Sequence, residues 1–279
     1  MASKSIAVFG GNGFLGKRIC QQGIESGYKV ISFTRSGKPP TPTSHHDIHW
    51  LKQVQWEKAD ILKPDTYKKQ LNGIDTVVHS MGLLFENSNY KSSLDSELDL
   101  FEDLKSLQKS ILGSTGPNPM ARTTQNSYAS IQRDSAVLLA DILLKKHSKK
   151  AASSPPVSFV YISADQELPA VPSGYLTTKR EAETELRSRS PGIRSIIMRP
   201  GFMYDELDQN PRKKRNIVKG VLQAGFEIKN CVFGDSVPLV NGIIRPIVST
   251  QMVAREVYKK IEDESFFGIV PLDEIARGR

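Results

Sequence analysis
With 279 residues, 38% of them hydrophobic and 24% charged, the chain exceeds the roughly 100–200 residues typical of one domain yet has ample material for a single large core. That composition excludes wholesale disorder, and no apolar run approaches the ~18–20 residues that cross a bilayer. The formal charge of +8 favours phosphate-bearing ligands, anionic membranes or nucleic acid, and since no zinc-finger, RNP or helix-turn-helix pattern accompanies it, nucleic acid lacks support.

The chain opens on a strand pattern, Ser5-Ile6-Ala7-Val8-Phe9, which meets Gly10-Gly11-Asn12-Gly13-Phe14-Leu15-Gly16. Leu15, Ile19 and Ile24 then recur at helical spacing until Gly27. A second strand over residues 29–34 completes a strand-helix-strand unit of about 30 residues. The pattern next predicts a strand over 54–59, a helix over 67–71, a buried strand over 75–79 and a long helix over 128–146. Strands over 157–162 and 195–198 follow. This alternation predicts an α/β, doubly wound Rossmann fold with a parallel sheet covered on both faces. We expect a nucleotide-binding domain over 1–205, with an insertion over 86–127, and a smaller C-terminal substrate or interaction lobe over 206–279, partly interleaved with the sheet.

Within the insertion, Leu94, Leu98, Phe101, Leu104, Leu107 and Ile111 describe one apolar helical face among excess acids. Packing against the chain's own sheet and docking on another protein both suit it. The basic runs Lys145-Lys146-His147-Ser148-Lys149-Lys150 and Arg212-Lys213-Lys214-Arg215 read as solvated loops, the second also as a contact for anionic lipid or an acidic partner. The two cysteines, Cys20 and Cys231, lie far apart and in no metal-ligand spacing, which fits a reducing compartment. No metal site is expected. Neither a secretory signal nor an Arg-rich presequence is evident at the start.

The glycine cluster satisfies G-x-x-G-x-x-G through Gly10, Gly13 and Gly16 and G-x-G-x-x-G through Gly11, Gly13 and Gly16. Placed between strand and helix, the backbone of Gly10 to Gly16, with Asn12, Phe14 and Leu15, can approach a pyrophosphate unobstructed. An acid about 20 residues further on would bond the ribose of NAD. From Val30 through His46 there is none, and Arg35 stands at the strand end with Lys38 nearby. A guanidinium suits a 2′-phosphate, so the expected cofactor is NADP(H).

Tyr175 and Lys179 form a Y-x-x-x-K pair on a helical face continued by Ala182 and Leu186. Lys179 can lower the phenol pKa of Tyr175, preparing it to exchange a proton, while also contacting the cofactor ribose. Ser163, ending the preceding strand, is placed to bond the reacting oxygen. The plain alternative makes Tyr175 a boundary aromatic and Ser163 a turn hydroxyl.

Taken with Ala59-Asp60-Ile61, Asp75-Thr76-Val77-Val78-His79 and Arg199-Pro200-Gly201, these motifs follow the order of the extended and atypical short-chain dehydrogenases/reductases, which the chain resembles over almost its whole length. It is most similar to the branch near the 39-kDa accessory subunit of respiratory complex I. Closer still, VFGGNGFLGKRIC, SFTRSGK and QRDSAVLLADIL resemble fungal mitochondrial reductase-like proteins of the ubiquinone-biosynthesis complex. The resemblance implies Asp60 and Ile61 near the adenine and His79-Ser80-Met81-Gly82 along the cofactor. It also implies residence at the matrix face of the mitochondrial inner membrane, peripherally attached and held by ubiquinone-biosynthesis proteins.

The usual Asn-Ala-Gly-like segment is absent, and Gln132-Arg133-Asp134 stands where the family's helix carries an asparagine. Two functions therefore stay open: an NADP(H)-dependent oxidoreductase acting on an apolar carbonyl or ubiquinone-pathway intermediate, and a non-catalytic nucleotide-binding structural or regulatory subunit. The Tyr/Lys pair disfavours a third class, a nucleotide-sensing transcriptional regulator.

Overall fold
The computed structural model describes residues 4–42, 45–82, 128–147, 155–166, 173–207 and 245–278, with the isolated positions 220 and 223. The predicted insertion and the Arg212 to Arg215 run lie outside them. Strands β1 (Ser5–Phe9), β2 (Lys29–Thr34), β3 (Gln55–Lys58), β4 (Thr76–His79), β5 (Val157–Ile162) and β6 (Ile193–Met198) join a late strand, β9 (Gly268–Val270). They form a seven-stranded sheet ordered β3-β2-β1-β4-β5-β6-β9, and every pair in it is parallel. A small parallel pair, β7 (Met203–Tyr204) with β8 (Val248–Ser249), sits apart.

The near-continuous apolar strands follow from burial on both faces. Along β1, Ile6 and Val8 enter one core with Ile19, Val160, Ile196, Val253 and Val257. Ala7 and Phe9 enter the other with Phe33, Phe159, Leu139, Leu143, Ala182 and Leu186. Helices α1 (Gly16–Glu25), α2 (His45–Leu51), α5 (Thr250–Glu262) and α6 (Leu272–Arg277) cover the first face; α3 (Ser135–His147) and α4 (Ser173–Arg187) cover the second. Truncating a fully buried side chain such as Ile6 to alanine costs about 2–5 kcal/mol in such cores.

The helix ends follow local chemistry. Gly27, at φ 78°, makes the left-handed turn that ends α1. Ser249 caps α5 by accepting from the Met252 N–H at 3.0 Å. Arg194 closes the other end of α5, donating to the carbonyls of Ile261 and Asp263, both at 2.8 Å. Within the segment after 206, α5 packs on α1 and β9 extends the main sheet beside β6.

Several elements differ from expectation. Residues 67–71 are turns following a 3-10 segment, Pro64–Thr66, rather than a helix. Thr66 Oγ1 donates to the Lys63 carbonyl at 2.7 Å, and the Tyr67 hydroxyl binds the Ile61 carbonyl at 2.9 Å, so side chains take acceptors around the turn. Helix α2 was not expected from sequence. Its buried Asp47 accepts from Arg18 at 3.0 Å and from Trp50 Nε1 at 3.1 Å. The long helix over 128–147 is present, but Ala129–Asp134 is π-helical.

Candidate active site
The expected nucleotide residues gather at the carboxyl ends of β1, β2 and β4. Gly10, at φ 88°, turns the chain out of β1. A Cβ there would lie 2.9 Å from the Ser80 carbonyl oxygen, and one on Gly16 would overlap the Gly10 carbonyl. The Ser80 N–H in turn binds the Phe9 carbonyl at 3.0 Å. Glycine therefore lets α1 start hard against the turn, with the spare N–H groups of a helix N-terminus beside it. The backbone of this cradle leaves room for a pyrophosphate to approach.

Arg35 stands exposed just beyond β2 and has no ion-pair partner among the described residues. Asp60, following β3, accepts from the Leu62 N–H at 3.1 Å and keeps a partly exposed carboxylate near Lys63. Ile61 is buried. Of the segment His79-Ser80-Met81-Gly82, the backbone after His79 borders the glycine turn, whereas the His79 ring is wholly buried. His79 Nε2 lies 2.8 Å from Ser135 Oγ, which donates to the Ile131 carbonyl at 2.6 Å. With that hydroxyl proton engaged, Nε2 is the donor. Burial, then the nearby Lys179 charge, pushes the His79 pKa down to about 3, so the ring is neutral at pH 7.

Lys179, facing inward from α4, is 2% exposed. Its ammonium donates to the carbonyls of Ile162 at 2.6 Å and Met81 at 3.3 Å, bridging the ends of β5 and β4. It also sits 4.8 Å from the centre of the Tyr161 ring. Burial lowers its pKa to about 7, and the carboxylate of Glu183 only partly resists this. Tyr175, one turn earlier on α4, is half-buried and meets the Tyr128 ring edge-on at 6.0 Å. Thus α4 carries Tyr175 and Lys179 on the face toward the sheet's carboxyl end.

Ser163 follows β5 and is buried, its hydroxyl donating to Glu183. Glu183 also pairs with Arg180 and Arg199. Burial opposes its charge, yet the bonds from Arg199 and Ser163 and the two guanidinium charges prevail, holding the carboxyl below its usual range. Beyond this cluster, Arg245 grips Asp165 through two nitrogens at 2.9 and 3.1 Å.

The first 39% or so of the chain, residues 6–113, matches the NAD dependent epimerase/dehydratase family. Among solved structures, a short-chain dehydrogenase/reductase oxidoreductase from Burkholderia thailandensis superposes with a TM-score of 0.59 at 11% identity, over 99% of this chain and 94% of that one. The structure of ElxO with NADP bound gives 0.55 at 14% identity, over 98% and 99%. These share the fold. MIOREX complex component 2 of Saccharomyces cerevisiae is 43% identical over 277 residues, 98% of both chains. The chain belongs to the family of MIOREX complex component 2.

In this member of the MIOREX complex component 2 family, sequence reading missed Glu183, although its spacing of four from Lys179 puts an acid on the inward face of α4. It missed Arg18 too, since a charged residue beside the glycine turn reads as surface. Arg18 is instead buried, bonded to Asp205 through Nε and Nη2 and to Asp47 through Nη1, with Lys17 also reaching Asp205 at 3.0 Å. Among the described residues no cluster of three or more His, Cys, Asp or Glu could hold a metal, and no helix is long and apolar enough to cross a membrane.

Proposed function
We propose that the protein is an NADP(H)-dependent oxidoreductase of the short-chain type. It acts on an apolar carbonyl or quinone-pathway intermediate within the ubiquinone-biosynthesis complex, at the matrix face of the mitochondrial inner membrane. The observation that carries this reading is Lys179: a lysine buried on two strand-end carbonyls, one turn after Tyr175 and bonded to Met81, whose side chain borders the Gly10 turn. Burying an ammonium is costly and supports a chemical use for it.

The Gly10 to Gly16 backbone would hold the pyrophosphate, Arg35 the 2′-phosphate, Asp60 and Ile61 the adenine end, and Ser80 and Lys179 the ribose nearest the reaction. When bound, the nicotinamide supplies hydride exchange. Tyr175 gives or takes the proton at the substrate oxygen, and the Lys179 charge favours its phenolate. The NADP preference rests on Arg35 and on the lack of an acid after β2. Kinship with a component of a named complex supports membership of an assembly, and peripheral attachment agrees with the absence of a spanning helix among the described residues.

The commitment of the Ser163 proton to Glu183 favours a second reading, in which the chain binds nucleotide as a structural or regulatory subunit without turnover. Mass spectrometry of nucleotide released from the purified protein, followed by substrate-dependent NADPH oxidation, separates the two. Released NADPH with turnover is expected. NADPH without turnover on any quinone-pathway carbonyl selects the subunit, and bound NADH defeats the cofactor assignment. Mitochondrial fractionation with native gels tests the setting: a soluble cytosolic monomer would sink it.

A further inference from the structure
Building on the oxidoreductase reading, we propose that Ser163 recognises the reacting group as a hydroxyl donor, an alcohol or phenol, and that Glu183 is the positioning residue imposing this polarity. Both residues are 3% exposed, so neither can exchange its partner for water freely. Ser163 Oγ donates to Glu183 Oε1. The same carboxylate oxygen accepts from Arg180 and, at 3.0 Å, from Arg199 Nε, while Oε2 accepts from Arg199 Nη2. Two guanidinium groups keep Glu183 ionised, and an ionised carboxylate has no hydrogen to give. The proton in the contact therefore belongs to Ser163.

A serine hydroxyl carries one proton and two lone pairs. Here the proton is spent on Glu183, and Arg180 Nη1 borders one lone pair at 3.4 Å. What Ser163 retains for a ligand is an acceptor. A carbonyl oxygen brought to it meets lone pair with lone pair, whereas an alcohol or phenol supplies the missing hydrogen. Turning the hydroxyl round would strip one donor from a buried carboxylate. Glu183 thus acts on the ligand only through Ser163, selecting the hydroxyl form of a carbonyl–alcohol pair in the resting complex; the single hydroxyl hydrogen must turn from Ser163 to Tyr175 before the phenolate takes it.

The test uses the full chain loaded with 2′-phospho-ADP-ribose, which lacks the nicotinamide and permits no turnover. The probes are a matched pair, 1-phenylethanol and acetophenone, with affinities read by ligand-observed NMR. The alcohol should bind at least about tenfold more tightly. Ser163→Ala, which leaves the Arg–Glu pairs in place, should bring the ratio near one. Glu183→Gln should do likewise while Ser163 remains, because the amide can donate to Oγ and release its proton toward the ligand. A thermal melt checks that Glu183→Gln folds; if it does not, Ser163→Ala carries the test alone. A ratio near one in the unmodified protein, a preference for acetophenone, no binding of either probe, or a ratio unmoved by Ser163→Ala overturns the proposal. Calorimetric titration with NADPH keeps the outcomes apart: a chain that binds NADPH and prefers the ketone defeats this inference alone, and one that binds no NADPH defeats the oxidoreductase reading and this inference with it.

Discussion

The Tyr161 hydroxyl donates to the Gln132 main-chain carbonyl at 2.9 Å, so the end of β5 holds the π-helical turn leading into α3. A π-turn departs from the ordinary helical pairing of carbonyls, and this one receives a donor from the strand beneath it. The same ring lies under Lys179 and beside His79, at 5.4 Å between ring centres. Tyr161→Phe keeps the ring and removes the staple. It should cost about 0.5–1.5 kcal/mol, the net worth of one hydrogen bond, read as a lower denaturant midpoint at unchanged m-value. An unshifted midpoint would mean that the π-turn does not need the bond.

Arg35 is exposed and has no ion-pair partner among the described residues, and in the proposed function it is assigned to the 2′-phosphate. Calorimetric titration should find NADPH bound more tightly than NADH, and Arg35→Ala should narrow the gap by about tenfold, the scale of a charge-assisted bond. Folding stability should hardly change. Equal affinities in the unmodified protein reject the assignment.

Tyr175→Phe removes a transferable proton while keeping the ring that meets Tyr128 on the half-buried face of α4. Turnover should fall by about 100-fold or more with nucleotide affinity preserved, whereas Lys179→Met should weaken both. Unchanged turnover in Tyr175→Phe excludes the phenol as the acid.

Lys179 gives stability a pH dependence of definite sign. Its pKa falls from an ordinary 10.5 to about 7 on folding, so between those values the unfolded chain binds more protons than the folded one. Stability from this group therefore rises as pH climbs from about 7 to 10.5, and the burial penalty is full below pH 7. Denaturation of the unmodified protein and Lys179→Met across that window should show Met stabilising most at the lower end, with the difference shrinking as pH rises. A constant difference would place an ordinary lysine there.

Arg18 ties α1 to α2 through Asp47 and to the segment after β7 through Asp205. Arg18→Met leaves two buried carboxylates short of a partner and should cost about 3–5 kcal/mol. Because α1 begins at the glycine turn, NADPH affinity should drop as well. A variant with native melting temperature and native affinity would show that Lys17 and Gln251 suffice for Asp205.

The sheet was legible because burial on both faces writes itself as short apolar runs, and parallel pairing demands helices between them. β1, β2 and β5 consequently begin and end where their patterns do. The glycine turn was legible for a local reason: a positive φ at Gly10 and contact between Gly16 and the Gly10 carbonyl leave no room for side chains. The inward face of α4, with Lys179 upon it, followed from helical spacing. Periodicity encodes which side chains are buried but not which partners meet them, and the remainder was decided by partners remote in the chain. Asp47 and Trp50 organise α2 around Arg18, 29 residues before Asp47. Tyr161 holds a π-turn that propensity reads as ordinary helix. The direction of the Ser163 proton depends on a carboxylate 20 residues later, itself kept charged by Arg180 and by Arg199 at the end of β6. Hydrogen-bond polarity belongs to a completed set of donors and acceptors, and only the folded chain brings that set together.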